Sequence, residues 1–171
     1  MLPEDYRQKI EESLESLWST WRSLGLYSEG PVAAMPFEEA IIGVCILGRY
    51  DQRLFDEAVS TMILHSRLMS KNRLLYHARK LDDDSRRVFQ VIAAILKEKG
   101  GDSRFVSIFA DEKKKGKQAF FLNLDRQAAF SGKSEDPLFN RFGFERNNFV
   151  MSDKIRNLKY IASQNPYIRA K

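Results

Sequence analysis

The chain has 171 residues, 43% hydrophobic and 30% charged, a balance that excludes wholesale disorder and collagen-like or low-complexity architecture and suits one domain, or one domain with a structured appendage. A single cysteine, Cys45, excludes an internal disulfide framework; no apolar run approaches the roughly 20 residues that span a bilayer, and Met1-Leu2-Pro3-Glu4-Asp5 is acidic where a secretory leader is basic, so a bacterial cytoplasmic protein with no membrane partner is expected. The net charge of +5 hides an asymmetry: residues 1–66 hold five Lys/Arg against eleven Asp/Glu, and residues 67–171 hold 23 against 12, a division that marks either a basic binding face or two halves that attract each other.

Pro3 suits the start of a helix, and Glu4 and Asp5 favour the positive end of its dipole. Ile10, Leu14, Leu17, Trp21 and Leu24 then recur at spacings of 4, 3, 4 and 3, a seam that Trp18 widens and Gly25 ends. A second helix opens near Pro36, and its body, Phe37 to Leu47, is apolar on nearly all sides, as a central helix is. Asp51 is placed to cap a third helix with Leu54, Phe55, Ala58, Val59, Met62 and Ile63 on one stripe. Ser70 is placed to cap a short fourth with Leu74, Leu75, Ala78 and Leu81 inward. Asp82-Asp83-Asp84 opens a fifth, with Val88, Phe89, Ile92, Ile95 and Leu96 buried, and Gly100-Gly101 ends it.

Beyond Gly101 the texture changes. The apolar runs 104–110 and 118–124 flank a lysine cluster and read as a short hairpin or as broken helices, with a weak preference for the hairpin. Leu138, Phe139, Phe142 and Phe144 form an aromatic clasp over the helical core, and Asp153 is placed to cap a terminal helix ending before Pro166. The expected fold is mainly α: a compact multi-helix bundle with a helix-turn-helix-like pair and an irregular C-terminal third. Its organisation is a helical domain of about five helices over 1–101 and a basic extension over 102–171 packed on it.

The third and fourth helices and their short link are the helix-turn-helix-like pair. At about 100° per residue, Asn72, Arg73, Tyr76, His77 and Lys80 stand opposite the apolar arc of the fourth helix. Arg suits guanine, Asn suits adenine and Lys suits phosphate, and in such a motif the start of the second helix enters the major groove. Leu64, Leu68 and His77 depart from the pattern, which prefers a small residue, a glycine and an apolar residue there. Lys113, Lys114, Lys115 and Lys117 form the densest cationic cluster, suited to phosphate contact or to an exposed loop tip. It gains weight only if folding gathers it with Arg86, Arg87, Arg104 and Arg126.

Catalytic signatures are nearly absent. His65, His77 and Cys45 fall on three different helices without metal-ligand spacing, the aspartate run reads as a helix cap, and Cys45 reads as a core thiol. No cofactor and no enzymatic activity are expected.

The stretch Gly48-Arg49-Tyr50-Asp51-Gln52-Arg53-Leu54-Phe55-Asp56-Glu57-Ala58, with Ser66-Arg67-Leu68-Met69-Ser70, Arg73-Leu74 and the later Asp136-Pro137-Leu138-Phe139-Asn140-Arg141-Phe142-Gly143, resembles a family of uncharacterised bacterial regulator-like helical proteins. The resemblance implies no activity and no site residue. It implies longer relatives that continue, past a segment like Asn165-Pro166-Tyr167-Ile168-Arg169, into a winged-helix-like region. Read physically, Arg49, Asp51, Arg53, Asp56 and Glu57 are alternating charges at a helical corner, with Arg53 and Glu57 at i, i+4 and Arg49 within reach of Asp51 or Asp56.

These features point to nucleic-acid binding of the transcription-regulator type. Asn72, Arg73, Tyr76 and Lys80 would address double-stranded DNA, and Lys113, Lys114, Lys115 and Lys117 would hold its backbone. The alternative is a protein-interaction or homodimerisation module working through the first helix or the aromatic clasp. Exposure separates the two: an uncovered apolar seam favours the interaction module, and a buried seam with a basic face elsewhere favours nucleic acid.

Overall fold

The computed structural model describes residues 3–26, 29–106, 117–122, 136–147, 149 and 151. Among them the protein is mainly helical: α1 (Glu4–Ser23), α2 (Phe37–Leu47), α3 (Gln52–His65), α4 (Lys71–Ala78), α5 (Asp83–Gly100) and the short α6 (Pro137–Arg141). Single 3₁₀ turns at Gly48–Tyr50 and Ser66–Leu68 join α2 to α3 and α3 to α4. No helix among the described residues is long and apolar enough to cross a membrane.

The local signals set the helix ends. Asp51 accepts the Leu54 amide at 2.9 Å and Asp82 accepts the Ser85 amide at 2.8 Å, so both aspartates cap the helices they precede. Asp51 also takes the Trp18 indole N–H on its second oxygen at 2.7 Å, tying the start of α3 to α1. Gly25 and Gly101 both have positive φ, the left-handed conformation that lets a helix end in a reversed turn without a Cβ clash.

Apolar except for Glu38 and Glu39, α2 packs against α1, α3, α4 and α5. Its face toward α1 includes Gly43, where a Cβ would stand 2.6 Å from a Leu17 methyl; glycine permits that close crossing. The α1 seam, Ile10, Leu14, Leu17, Trp18, Trp21 and Leu24, is buried throughout.

The described part of the C-terminal third lies over α3 and α5. Its two-residue strands, β1 (Gln118–Ala119) and β2 (Phe144–Glu145), pair in parallel, Gln118 with Phe144 and Ala119 with Glu145. The partner of the 118–124 run is thus a distant segment and not the 104–110 run expected of a hairpin. Arg104 to Val106 form a turn, and 107–110 and 123–124 lie outside the described residues. The helix expected after Asp153 lies outside them as well.

Phe120 is fully buried and meets Phe55, Phe121, Phe139 and Phe144 edge to face, at centroid distances of 4.8 to 5.1 Å. Three groups fasten this aromatic cluster. Arg146 donates to both carboxylate oxygens of Asp56 at 2.8 and 3.3 Å. Asp136 accepts the amides of Leu138 and Phe149. Arg49 donates to the carbonyls of Phe120 and Ala119 at 2.8 and 3.1 Å.

The charged corner is therefore a mooring for the chain's own C-terminal third. Arg53 does pair with Glu57 at 2.8 Å. Arg49 reaches neither Asp51 nor Asp56 as expected; it turns toward β1, because two backbone carbonyls there need donors inside the core. Its remaining nitrogen stands 3.9 Å from Asp84.

Candidate nucleic-acid interface

α4 has eight residues, and its inward arc is set by sequence: Leu74, Ala78 and the following Leu81 are buried, while Leu75 is half-buried. Lys71, Asn72, Arg73, Tyr76, Arg79 and Lys80 are exposed. The helical periodicity therefore puts Asn72, Arg73, Tyr76 and Lys80 on the outer side, as expected. The chain has no acidic residue between Glu57 and Asp82, so α4 itself supplies nothing to neutralise these cations.

Two carboxylates of α2 hold the helix in place. Glu38, 3% exposed, accepts the Ser70 amide at 2.7 Å, a stronger contact than the Ser70 hydroxyl makes with the Arg73 amide at 3.5 Å. The other Glu38 oxygen lies 3.7 Å from Arg73 Nε, and Glu39 lies 3.8 Å from His77 Nε2. Arg73 thus has one side engaged with the core and half its side chain in solvent. Lys80 holds its ammonium 4.5 Å from the centre of the Tyr76 ring and donates to the hydroxyl at 3.4 Å.

Further cations stand at both ends. Before α4, Arg67 is exposed, and Arg104 donates to the carbonyls of Ser66 at 2.7 Å and Met69 at 3.2 Å. Asp102 orients that guanidinium at 2.9 Å. Burial pushes the Asp102 carboxyl up, but the hydrogen bonds from the Arg104 side chain and amide outweigh it and hold the group below its ordinary range. After α4, Arg86 donates to the Arg79 carbonyl at 3.4 Å.

The rest of the expected cationic set is divided. Lys117 is exposed beside β1 with Nζ 4.0 Å from Glu145, on the aromatic C-terminal layer. Lys113, Lys114, Lys115 and Arg126 lie outside the described residues. Arg87 pairs with Asp84 at 2.8 Å and lies 4.8 Å from the Phe144 ring, inside the packing and away from α4.

The helix-turn-helix comparison also changes. α4 packs principally on α2, whereas the motif rests its second helix on its first. At two of the departures, Leu64 is exposed and His77 lies 3.8 Å from Glu39 of α2.

Sequence reasoning missed Glu38 and Arg146. Each acts on partners 32 and 90 residues away, and only the run Glu38-Glu39 on an otherwise apolar helix hints at the first. The surfaces expected of an interaction module are largely covered, with Phe142 half-buried. The α1 seam is covered, and Phe139 and Phe144 are fully buried.

A cleft of about 560 Å³ opens between α1, the end of α2 and the start of α5, lined by Tyr6, Cys45, Ile46, Arg49, Tyr50 and Asp82 to Ser85. Its carboxylates are engaged: Asp82 caps α5, Asp83 lies 3.8 Å from Arg86, and Asp84 pairs with Arg87. Burial pushes the Tyr50 phenol up, with Tyr6 adding to the shift and Arg49 opposing it. The same burial raises the Cys45 thiol far above its ordinary value. Among the described residues no group of three or more His, Cys, Asp or Glu is arranged to hold a metal ion.

Comparison with protein-family models, with curated proteins and with solved structures found no match for this chain.

Proposed function

We propose that this chain is a nucleic-acid-binding domain of the regulator type and that the outer face of α4 is its contact surface. One observation carries the reading. Lys71 and Arg73 on this short helix and Arg79 and Lys80 just after it are exposed, with Arg67 and Arg104 at its start and Arg86 at its end, while of the carboxylates beside it Glu38 is buried, Asp102 is held by Arg104, and the more exposed Glu39 and Asp83 stand by His77 and Arg86. Such a strip attracts a polyanion and fixes its path before any base is read. The work is binding and not catalysis, and its setting is the bacterial cytoplasm, where the lone thiol stays reduced.

Double-stranded DNA is the reference ligand. About four phosphates neutralised by the α4 cations give a log–log salt slope near −3.6, at about −0.9 per phosphate. Titration of duplex DNA across a salt series tests this. A slope of about −3 to −4 supports the reading, and no binding of either duplex or single-stranded oligonucleotide at low salt removes it.

A protein-interaction module is the second reading, through a groove to which the first helix contributes. A groove of about 450 Å³ between α1, α2 and α4 is lined by Leu17, Met35, Ile42 and Ile46, and Ile46 is 48% exposed. Loss of a dimeric mass on Ile46→Glu would favour that reading.

A further inference from the structure

Tyr76 is 59% exposed, in the middle of the cationic face of α4. Large aromatic rings are costly to leave in water, and this one is not folded back onto the core. Its described ring neighbour is His77, edge-on at 5.2 Å. Lys80 stands over it from the turn after the helix, Asn72 and Arg73 are exposed on the same short helix, and Arg79 is exposed at its C-cap. The contrast is Tyr6, 50% exposed, which follows directly on Glu4 and Asp5. One exposed tyrosine sits among cations and the other beside anions.

Resting on the reading of α4 as a nucleic-acid contact, we propose that Tyr76 is a stacking platform for an unpaired base, so the preferred ligand is a single strand and not a duplex. A base within a duplex already has both faces stacked and gains little from the ring. An unpaired base has a free face, and a flat aromatic ring among cations offers stacking together with phosphate contact. Lys80 supplies the charge beside the ring, and Lys71 and Arg79 lie along the path of the strand. The departure from helix-turn-helix packing fits this arrangement, because stacking needs an exposed ring and not a helix inserted in a groove. The recognised chemistry, a base face beside a phosphodiester, belongs equally to DNA and RNA.

The test is the affinity of the full chain for oligothymidylate, oligouridylate and a mixed-sequence duplex of equal length at fixed low salt. Wild type, Tyr76→Ala, Tyr76→Phe and, as control, Tyr6→Ala are compared, with helical content checked by circular dichroism. The expected result is tighter binding to at least one single strand than to duplex. Tyr76→Ala should lose about tenfold on that strand and little on duplex, while Tyr76→Phe and Tyr6→Ala stay near wild type. The preferred oligonucleotide tells which sugar the site accepts. Equal or tighter duplex binding, or an equal loss on both ligands with Tyr76→Ala, overturns the stacking role and leaves the cationic face standing. No binding to any of the three overturns both.

Discussion

Glu38 of α2 accepts the backbone N–H of Ser70 at 2.7 Å, so the helix that carries the cationic face is capped by a side chain from another helix. Removing the acceptor leaves a half-buried amide without this partner, which costs about 1–3 kcal/mol. Glu38→Ala is expected to lower stability by about 2 kcal/mol in urea denaturation and to weaken nucleic-acid binding through loss of α4 placement. Glu38→Gln keeps an acceptor at the same point and should recover most of the stability. Equal loss in both variants would mean that the charge, and not the cap, matters at this position.

Asp56 and Arg146 join α3 to the C-terminal layer by a two-pronged pair, and the Arg146 side chain is 4% exposed. The guanidinium lies 4.8 and 4.9 Å from the rings of Phe139 and Phe121, so removing its carboxylate leaves a largely buried charge without its counter-ion. Asp56→Ala should destabilise the protein by about 3 kcal/mol, as breaking a buried pair does. Arg53→Ala, which removes an exposed i, i+4 partner of Glu57, should cost under about 1 kcal/mol. Thermal or urea melts of the two variants check the difference.

The Asp102 carboxyl titrates below its ordinary value of 3.8 because Arg104 binds its charged form. A lowered folded value means that the contribution is complete above the unfolded value and is lost as pH falls through the folded one. Acid should therefore loosen the turn that precedes α4, where Arg104 holds the Ser66 and Met69 carbonyls. Asp102→Asn is predicted to flatten the stability curve below pH 3.8 and to leave its shape near neutrality unchanged. An unaltered acid limb would contradict the assignment.

Cys45 is buried on α2 and its thiol is pushed far above the ordinary range. Only the thiolate reacts quickly with disulfide reagents. The native protein should therefore be inert to an aromatic disulfide at neutral pH and react stoichiometrically once unfolded. Rapid labelling of the folded chain would show that the cleft beside Cys45 opens.

Features that depend on neighbours in the chain were legible in sequence. Asp51, Ser70 and Asp82 cap the helices they precede, Gly25 and Gly101 end the ones they follow, and the outer arc of α4 follows from its period. The unread features depend on distant segments. The second oxygen of Asp51 serves Trp18, Arg49 turns to β1, and Arg146 finds Asp56, each across 33 to 90 residues. Alternating charge at the 49–57 corner gave the residue types there without their partners. The α3–α4 pair departs from helix-turn-helix packing for the same reason. Spacing between α3 and α4 carries no information that α2 takes up the inner face of α4.

The central claim, that the cations of α4 form the contact surface, is tested most directly by charge reversal at equal net cost. The variant Lys71→Glu/Lys80→Glu is compared with Arg7→Glu/Lys9→Glu, which changes two cations on the first helix, by fluorescence anisotropy on labelled oligonucleotides at low salt. The account predicts a loss of at least about tenfold and a shallower salt slope for the α4 pair, with a much smaller loss for the α1 pair. Equal losses for the two, or undiminished binding by the α4 variant, would contradict it.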